Sequence, residues 1–285
     1  MSSKTILITG ATDGIGRATA LSLARRGAQV VVHGRNPDKV AEVCAAVRAA
    51  APDEAAPQGL VADISTLAGV RELAQAVRRS QHKLDVLINN AGVFMKERQV
   101  TDDGFEVTFA VNHLATFLLT ELLLPLLRAS APARVLTVSS IAHTRGQIYW
   151  DDLNLERNWD SSDGGPPLPG YPAYAQSKLA NVLFSNALAR RVADDEITSN
   201  SLHPGTISTK LLHEGFGMGG ASTDTGAETS VYLALSPEVE GLTGRYFSNS
   251  QEVEAAPLAR DEAAQERLWA VSAEMTGVGD RDSRA

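Results

Sequence analysis

TILITGATDGIG, residues 5–16, is the stretch whose reading decides the fold. Its first five residues are apolar and β-branched and run into Gly10, as expected of a strand buried on both faces. From Ile15 to Arg26 the apolar residues recur at helical spacing. That pattern stops at Gly27, a residue suited to the position just past a helix C-terminus. Between strand and helix lies TGATDGIG, residues 9–16. Gly10, Gly14 and Gly16 let the backbone turn tightly and approach a pyrophosphate, while the helix N-terminus offers free N–H groups and a positive dipole end. Gly10 and Gly14 stand four apart, wider than in G-x-G-x-x-G. The strand–turn–helix context is nevertheless the one such a motif needs, so a dinucleotide is the expected ligand and a plain tight turn the alternative.

The same alternation continues outward. QVVVH (29–33) reads as a second strand, and Asn36 caps a helix with Pro37 at its first position, running to about Ala50. Residues 58–62 read as a third strand, followed by Asp63 and a Ser65-capped helix to about Ser80. LDVLI (84–88) is a fourth, ending in Asn89-Asn90-Ala91-Gly92. A long apolar helix spans about 105–128, RVLTVS (134–139) is the fifth strand, and 198–203 and 246–247 are the sixth and seventh. Strands alternating with helices predict an α/β fold: a single-domain, Rossmann-type, doubly wound parallel sheet of about seven strands with helices on both faces, over residues 1–285. Two irregular stretches, about 144–170 and 207–222, read as an inserted loop and a substrate lid, and about 258–285 as a C-terminal helix and tail.

Composition narrows the function classes. With 26 basic and 34 acidic residues the net charge is −8, which argues against a nucleic-acid partner. The lone Cys44 has no partner in the chain, which fits a reducing, cytoplasmic setting. Lys4 is followed at once by an apolar run ending in a turn, unlike a signal peptide. The greasiest stretch, 109–127, is interrupted by Asn112, His113, Thr116, Thr120, Glu121 and Pro125, which suits a buried core helix better than a membrane span. Six scattered histidines show no zinc spacing, so no metal is expected, and His143 and His203 read as pocket or core residues.

Chemistry enters at YPAYAQSKLANVLF, residues 171–184. On a helix, Tyr174 and Lys178 fall on one face. A phenol loses its proton near pH ~10, and a neighbouring ammonium lowers that value, which suits tyrosine to proton exchange with an alcohol or carbonyl. An ordinary surface pair is the alternative. The choice of dinucleotide is read at the end of the second strand. There His33-Gly34-Arg35-Asn36 offers an arginine where an acid would bind a ribose 2′-hydroxyl. This favours NADP(H), with NAD(H) as the alternative.

TGATDGIG, the NNAG at 89–92, the Ser139-Ser140 pair closing a strand and YAQSK at 174–178 stand in the order and spacing of a known family. Together they resemble the short-chain dehydrogenases/reductases over about residues 4–250, and SKLANVLF with the long gap before Tyr174 looks most like the retinol-dehydrogenase-like branch. The resemblance implies an NAD(P)(H)-dependent oxidoreductase interconverting a carbonyl and an alcohol on a moderately hydrophobic small molecule. It implies that Ser140 holds the substrate oxygen, with Ser139 the lesser choice. Tyr174 would exchange the proton, Lys178 would lower the Tyr174 pKa and bond the nicotinamide ribose, and Asn112 would position a water in a proton relay, a satisfied buried asparagine being the alternative. The implied cofactor contacts are Gly10, Thr12, Asp13, Gly14, Ile15 and Gly16 in the cradle, then Arg35 and Asn36, with Asp63 and Ile64 beside the adenine. Asn90, Ala91 and Gly92 follow, then Tyr174 and Lys178, and finally Pro204, Gly205, Ile207 and Thr209.

This chain departs from the family pattern in two places. Asp13 stands where many NADP-preferring members carry a basic residue. Ser140 precedes Tyr174 by 34 residues, and the extra segment, bearing Tyr149, Trp150 and Trp159, either walls the cleft or packs over the surface. Related insertions obstruct the family's dimer seam, so a monomer or a homodimer is expected. The branch often has an N-terminal membrane anchor, whereas here the first strand begins at Thr5; no membrane partner is expected. A catalytically idle, cofactor-sensing regulator on the same fold is the alternative function.

Overall fold

The four residues of β1, Thr5–Ile8, are buried without exception, because the strand is paired on both edges and covered on both faces. It runs parallel to β2 (Gln29–Gly34) on one side and to β4 (Val86–Asn89) on the other. The computed structural model describes residues 3–51, 56–160, 166 and 168–278. Beyond β2 lies β3 (Gln58–Val61). Beyond β4 come β5 (Ala133–Val138), β6 (Ile197–His203), β7 (Tyr246–Ser248) and β8 (Gln251–Val253), in the order β3-β2-β1-β4-β5-β6-β7-β8. The chain thus builds outward from β1 in one direction and then returns to start again at β4. That reversal opens a crevice at the carboxyl ends of β1 and β4, the place where ligands bind in such sheets.

Strand periodicity sorts the core into two layers. Ile6, Ile8, Val30, Val32, Val86 and Ile88 face α1 (Gly14–Ala24), α2 (Pro37–Ala50) and α7 (Thr223–Leu235). Leu7, Val31, Leu87 and Val135 face α3 (Leu67–Ser80), α5 (Ala115–Ala129) and α6 (Tyr171–Arg191). Side chains alternate across each strand, so a run such as TILI supplies both layers at once.

Among the described residues the sheet has eight strands, one more than expected. β8 pairs antiparallel with β7 across Asn249 and Ser250, both in the left-handed region at φ 50° and 58°. That is the turn a two-residue hairpin uses, but it lacks the glycine that usually signals it, and the exposed QEV has no apolar alternation. The third helix begins at Leu67 with Thr66, not Ser65, as its cap: the Thr66 hydroxyl accepts from Gly69 N at 3.1 Å, while Ser65 N donates to Asp63. The long apolar helix starts as α4 (Val107–Phe109), capped by the Glu106 carboxylate, passes through a π turn at Ala110–Leu114 and continues as α5. Among the described residues, Val107–Ala129 is the helix long and apolar enough to cross a membrane, and it lies buried inside the fold.

α6 is buried along almost its whole length. One side is covered by α8 (Glu262–Thr276), where Trp269 stacks on Phe184, meets Phe117 edge-on and lies beneath the Arg191 guanidinium at 4.0 Å. The inserted loop also packs on α6. Gln176 accepts from Tyr149 N at 2.9 Å and donates to Leu153 O at 3.0 Å, and Trp150 lies under Arg267 of α8 at 4.3 Å. The tryptophan-bearing part of the insertion therefore braces α6 from outside. Residues 161–165 and 167 of the expected insertion and 279–285 of the expected tail lie outside the described residues.

Candidate active site

The phosphate cradle is assembled by backbone and amide groups. Thr9 Oγ1 accepts from Asn90 N and Ala91 N, both at 3.0 Å, and Asn90 Nδ2 donates to Thr9 O at 2.8 Å and Gly10 O at 3.2 Å. The loops after β1 and β4 are thereby bound edge to edge. Gly10 has φ 64°, and a Cβ there would stand 2.9 Å from Ala91 Cα, so only glycine lets these loops meet. His33, at the end of β2, holds the same turn. Its Nδ1 accepts from Gly10 N at 3.3 Å, which leaves Nε2 to donate to Ala62 O at 3.2 Å. Burial lowers the His33 pKa to about 4, consistent with this neutral form.

The remaining cradle residues surround that turn. Asp13 caps α1 by accepting from Gly14 N at 2.8 Å, and its other oxygen lies 3.7 Å from Lys210 Nζ. Gly14 packs under Thr209, and Thr12 packs on Gly34. Arg35 is exposed past β2, beside Asn36, which caps α2 through Lys39 N at 3.0 Å. Asp63 is exposed and Ile64 half-buried past β3.

From the cradle a cleft of about 430 Å³ runs to the ends of β5 and β6. Of the residues predicted for the site, Ser140, Tyr174, Lys178, Ile15, Asn90, Gly92, Pro204, Gly205, Ile207 and Thr209 line it. Gly10, Thr12, Asp13, Gly14, Gly16 and Ala91 shape the cradle behind it, while Arg35, Asn36, Asp63 and Ile64 lie further out along the sheet edge. Of the inserted segment, Thr144 and Arg145 reach the cleft.

Ser139 and Ser140 have separate tasks. The Ser139 hydroxyl donates to Lys178 O at 2.7 Å and fastens β5 to α6. Ser140 turns into the cleft, where its hydroxyl accepts from Ala142 N at 3.2 Å and hydrogen-bonds Tyr174. Burial raises the Tyr174 phenol to about 12, against the Ser140 hydrogen bond, which favours phenolate; Tyr171 adds to the rise. Burial likewise lowers Lys178 to about 8. Its ammonium donates to Val138 O at 3.1 Å and lies 5.6 Å from the centre of the Tyr174 ring. In this geometry burial dominates the Tyr174 phenol and works against the lowering that its lysine is expected to supply.

Asn112 is fully buried and does not line the cleft. Its Oδ1 accepts from Val93 N at 2.7 Å, and its Nδ2 donates to Val93 O at 3.0 Å and Ser177 Oγ at 2.9 Å. The side chain therefore pins the loop after β4 to α6. One aromatic residue escaped sequence reasoning: Phe94 meets Tyr174 edge-on at 5.5 Å and lies 4.6 Å from Phe216, which is itself 5.6 Å from Tyr174. Nothing local to Phe94 marks it, apart from its place just after NNAG. Among the described residues no cluster of histidine, cysteine and carboxylates could hold a metal ion.

The profile of the family described as short chain dehydrogenase matches residues 4–151 and 158–217. The chain belongs to the short-chain dehydrogenase family. It is 42% identical over 300 residues to retinol dehydrogenase 14 of Mus musculus, covering 98% of this chain and 87% of that one. It is 41% identical over 295 residues to polyprenol dehydrogenase of Mus musculus, covering 97% and 85%. Among solved structures of the family, the Pseudomonas aeruginosa RhlG/NADP active-site complex superposes with a TM-score of 0.70 at 26% identity, covering 87% of this chain and 95% of that one. Family membership establishes an NAD(P)-dependent oxidoreductase acting on an alcohol or carbonyl, of the retinol-dehydrogenase-like branch.

Proposed function

We propose that the protein is an NADP(H)-preferring reductase or dehydrogenase for a moderately hydrophobic ketone, aldehyde or alcohol, with Ser140, Tyr174 and Lys178 carrying the proton chemistry. One observation carries this reading: these three side chains converge on the cleft that Ile15 of the cradle and the 204–209 segment also line. The glycine turn and the continuous cleft fit a dinucleotide laid from the cradle toward Lys178. When bound, the nicotinamide supplies or takes up the hydride. Ser140 and Tyr174 hold the substrate oxygen between them. Tyr174 gives its proton to that oxygen in the reduction direction, a task suited to a phenol held protonated at neutral pH. Lys178, still mostly charged at pH 7, stabilises the phenolate left behind.

Arg35 supports the NADP preference by offering a planar donor fork for a 2′-phosphate. Lys210 lies 3.7 Å from Asp13 and offsets that acid. The apolar side chains of Leu211, Leu212, Phe216 and Met218 along the cleft favour a hydrophobic substrate, as do the relatives named for retinol and polyprenol.

The test is a panel of ketones, aldehydes and alcohols with both cofactors, followed by nicotinamide absorbance. On an accepted substrate, Tyr174→Phe should lower kcat by roughly 10²- to 10⁴-fold. Near-normal turnover in that variant overturns the assignment.

A further inference from the structure

Ser140 lies past the end of β5 and opens a single turn of 3-10 helix, Ile141–Arg145, a kind of element with poor intrinsic hydrogen-bond geometry. What holds this turn is His143. Its backbone N–H donates to Ser140 O at 3.1 Å, and its ring Nδ1 lies 2.8 Å from the same carbonyl. A carbonyl can only accept, so Nδ1 carries the proton and Nε2 keeps its lone pair. Nε2 is then filled by the backbone N–H of Ala256 at 3.1 Å, from a segment 113 residues away. The ring is 1% exposed and is held from a further side by Tyr246, with ring centres 4.5 Å apart. Burial lowers the His143 pKa, in keeping with a neutral ring.

His143 does not line the cleft, although Ala142 and Thr144 on either side of it do. We propose that His143 is a positioning residue: it fixes the peptide plane of Ser140, and hence the direction of its hydroxyl, and couples that direction to the C-terminal segment at Ala256. The inference rests on Ser140 being the group that holds the substrate oxygen. Both ring nitrogens are used, each for a bond of opposite sense, and only one tautomer makes both.

Four variants test it. Ser140→Ala is the control for the underlying reading. His143→Phe keeps the ring volume and removes both bonds. His143→Asn places an amide N–H where Nδ1 stands and keeps the Ser140 bond alone. Ala256→Pro removes the donor to Nε2 at a residue whose φ of −50° already suits proline. His143→Phe should lower kcat by about tenfold or more, a loss of orientation, with the cofactor KM changed less than about twofold. His143→Asn should recover kcat to within about threefold of the parent, because one charge-neutral hydrogen bond is the difference. Ala256→Pro should fall between the two.

If Ser140→Ala turns over normally, the role of Ser140 fails and this inference with it. If Ser140→Ala is impaired while folded His143→Phe keeps parental kcat, the positioning role alone is overturned. Recovery no better in the asparagine than in the phenylalanine variant also overturns it. Should His143→Phe not fold, Ala256→Pro decides: lowered kcat with unchanged cofactor KM supports the proposal, and parental kcat refutes it.

Discussion

Lys178 Nζ stands 5.6 Å from the centre of the Tyr174 ring, and both side chains are buried. The pair therefore carries two desolvation penalties in one place, one lowering the lysine and one raising the tyrosine. Such a pairing favours function at a cost in stability, and pH separates the two.

Lys178→Met makes that cost measurable. In the folded protein Lys178 releases its proton near pH 8, whereas the unfolded chain holds it to about 10.5. Between those values the unfolded state binds more protons, so the lysine's contribution to stability rises with pH across that window and is least favourable below it. The methionine variant has similar volume and no charge to desolvate. It should be more stable than the ligand-free parent at pH 7, by an amount that shrinks toward pH 10, while turnover is lost. Urea unfolding of both proteins at the two pH values checks this; a gap independent of pH would contradict it.

Phe216, in the 207–222 segment, packs against Tyr174 together with Phe94. Truncating it to alanine removes an apolar wall from the cleft without touching Ser140 or Lys178. Phe216→Ala should raise KM for a hydrophobic substrate about tenfold, as expected for the loss of one aromatic contact, with a smaller change in kcat. Steady-state kinetics at saturating cofactor give the answer, and an unchanged KM would remove Phe216 from the substrate wall.

Much of this arrangement was legible because its signals are local. TILIT and QVVVH announce buried strands by themselves, and TGATDGIG is a turn whose glycines sit at fixed offsets. Tyr174 and Lys178 were paired by helical spacing alone. What escaped depends on atomic geometry or on contacts distant in sequence. Ser65 and Thr66 are both competent caps, and only the approach of Gly69 N to the threonine hydroxyl decides between them. His33 reaches Gly10 across 23 residues and His143 reaches Ala256 across 113, so no window of sequence contains either bond. Spacing placed an ammonium near a phenol but said nothing of their desolvation, and burial proved the larger effect.

Arg35 is exposed at the end of β2, free of the packing that would confuse a substitution with a folding defect. Reversing its charge should oppose a 2′-phosphate and leave a 2′-hydroxyl nearly untouched. Arg35→Glu should therefore weaken NADPH by about tenfold or more and NADH by much less, since a charge-assisted hydrogen bond is replaced by repulsion. The two cofactor affinities, measured side by side by fluorescence titration, test this. Equal losses would sink the 2′-phosphate argument.

Asn112 separates a relay role from a structural one. Its amide makes three hydrogen bonds, two to Val93 and one to Ser177, all away from the cleft. Leucine has nearly the same size but neither donor nor acceptor, so Asn112→Leu strands the Val93 peptide groups, while the Ser177 hydroxyl keeps its bond to Tyr174 O. The variant should lose about 2–4 kcal/mol of stability in urea unfolding, as buried polar groups left unpaired imply. Cofactor KM should rise as well, because the loop carrying Asn90 and Gly92 is no longer pinned to α6. Asn112→Asp keeps the acceptor for Val93 N but replaces the donor with a buried negative charge, so it should be destabilised most at high pH and recover as the carboxyl protonates. A folded Asn112→Leu variant with parental stability but no turnover would instead place Asn112 in the chemistry.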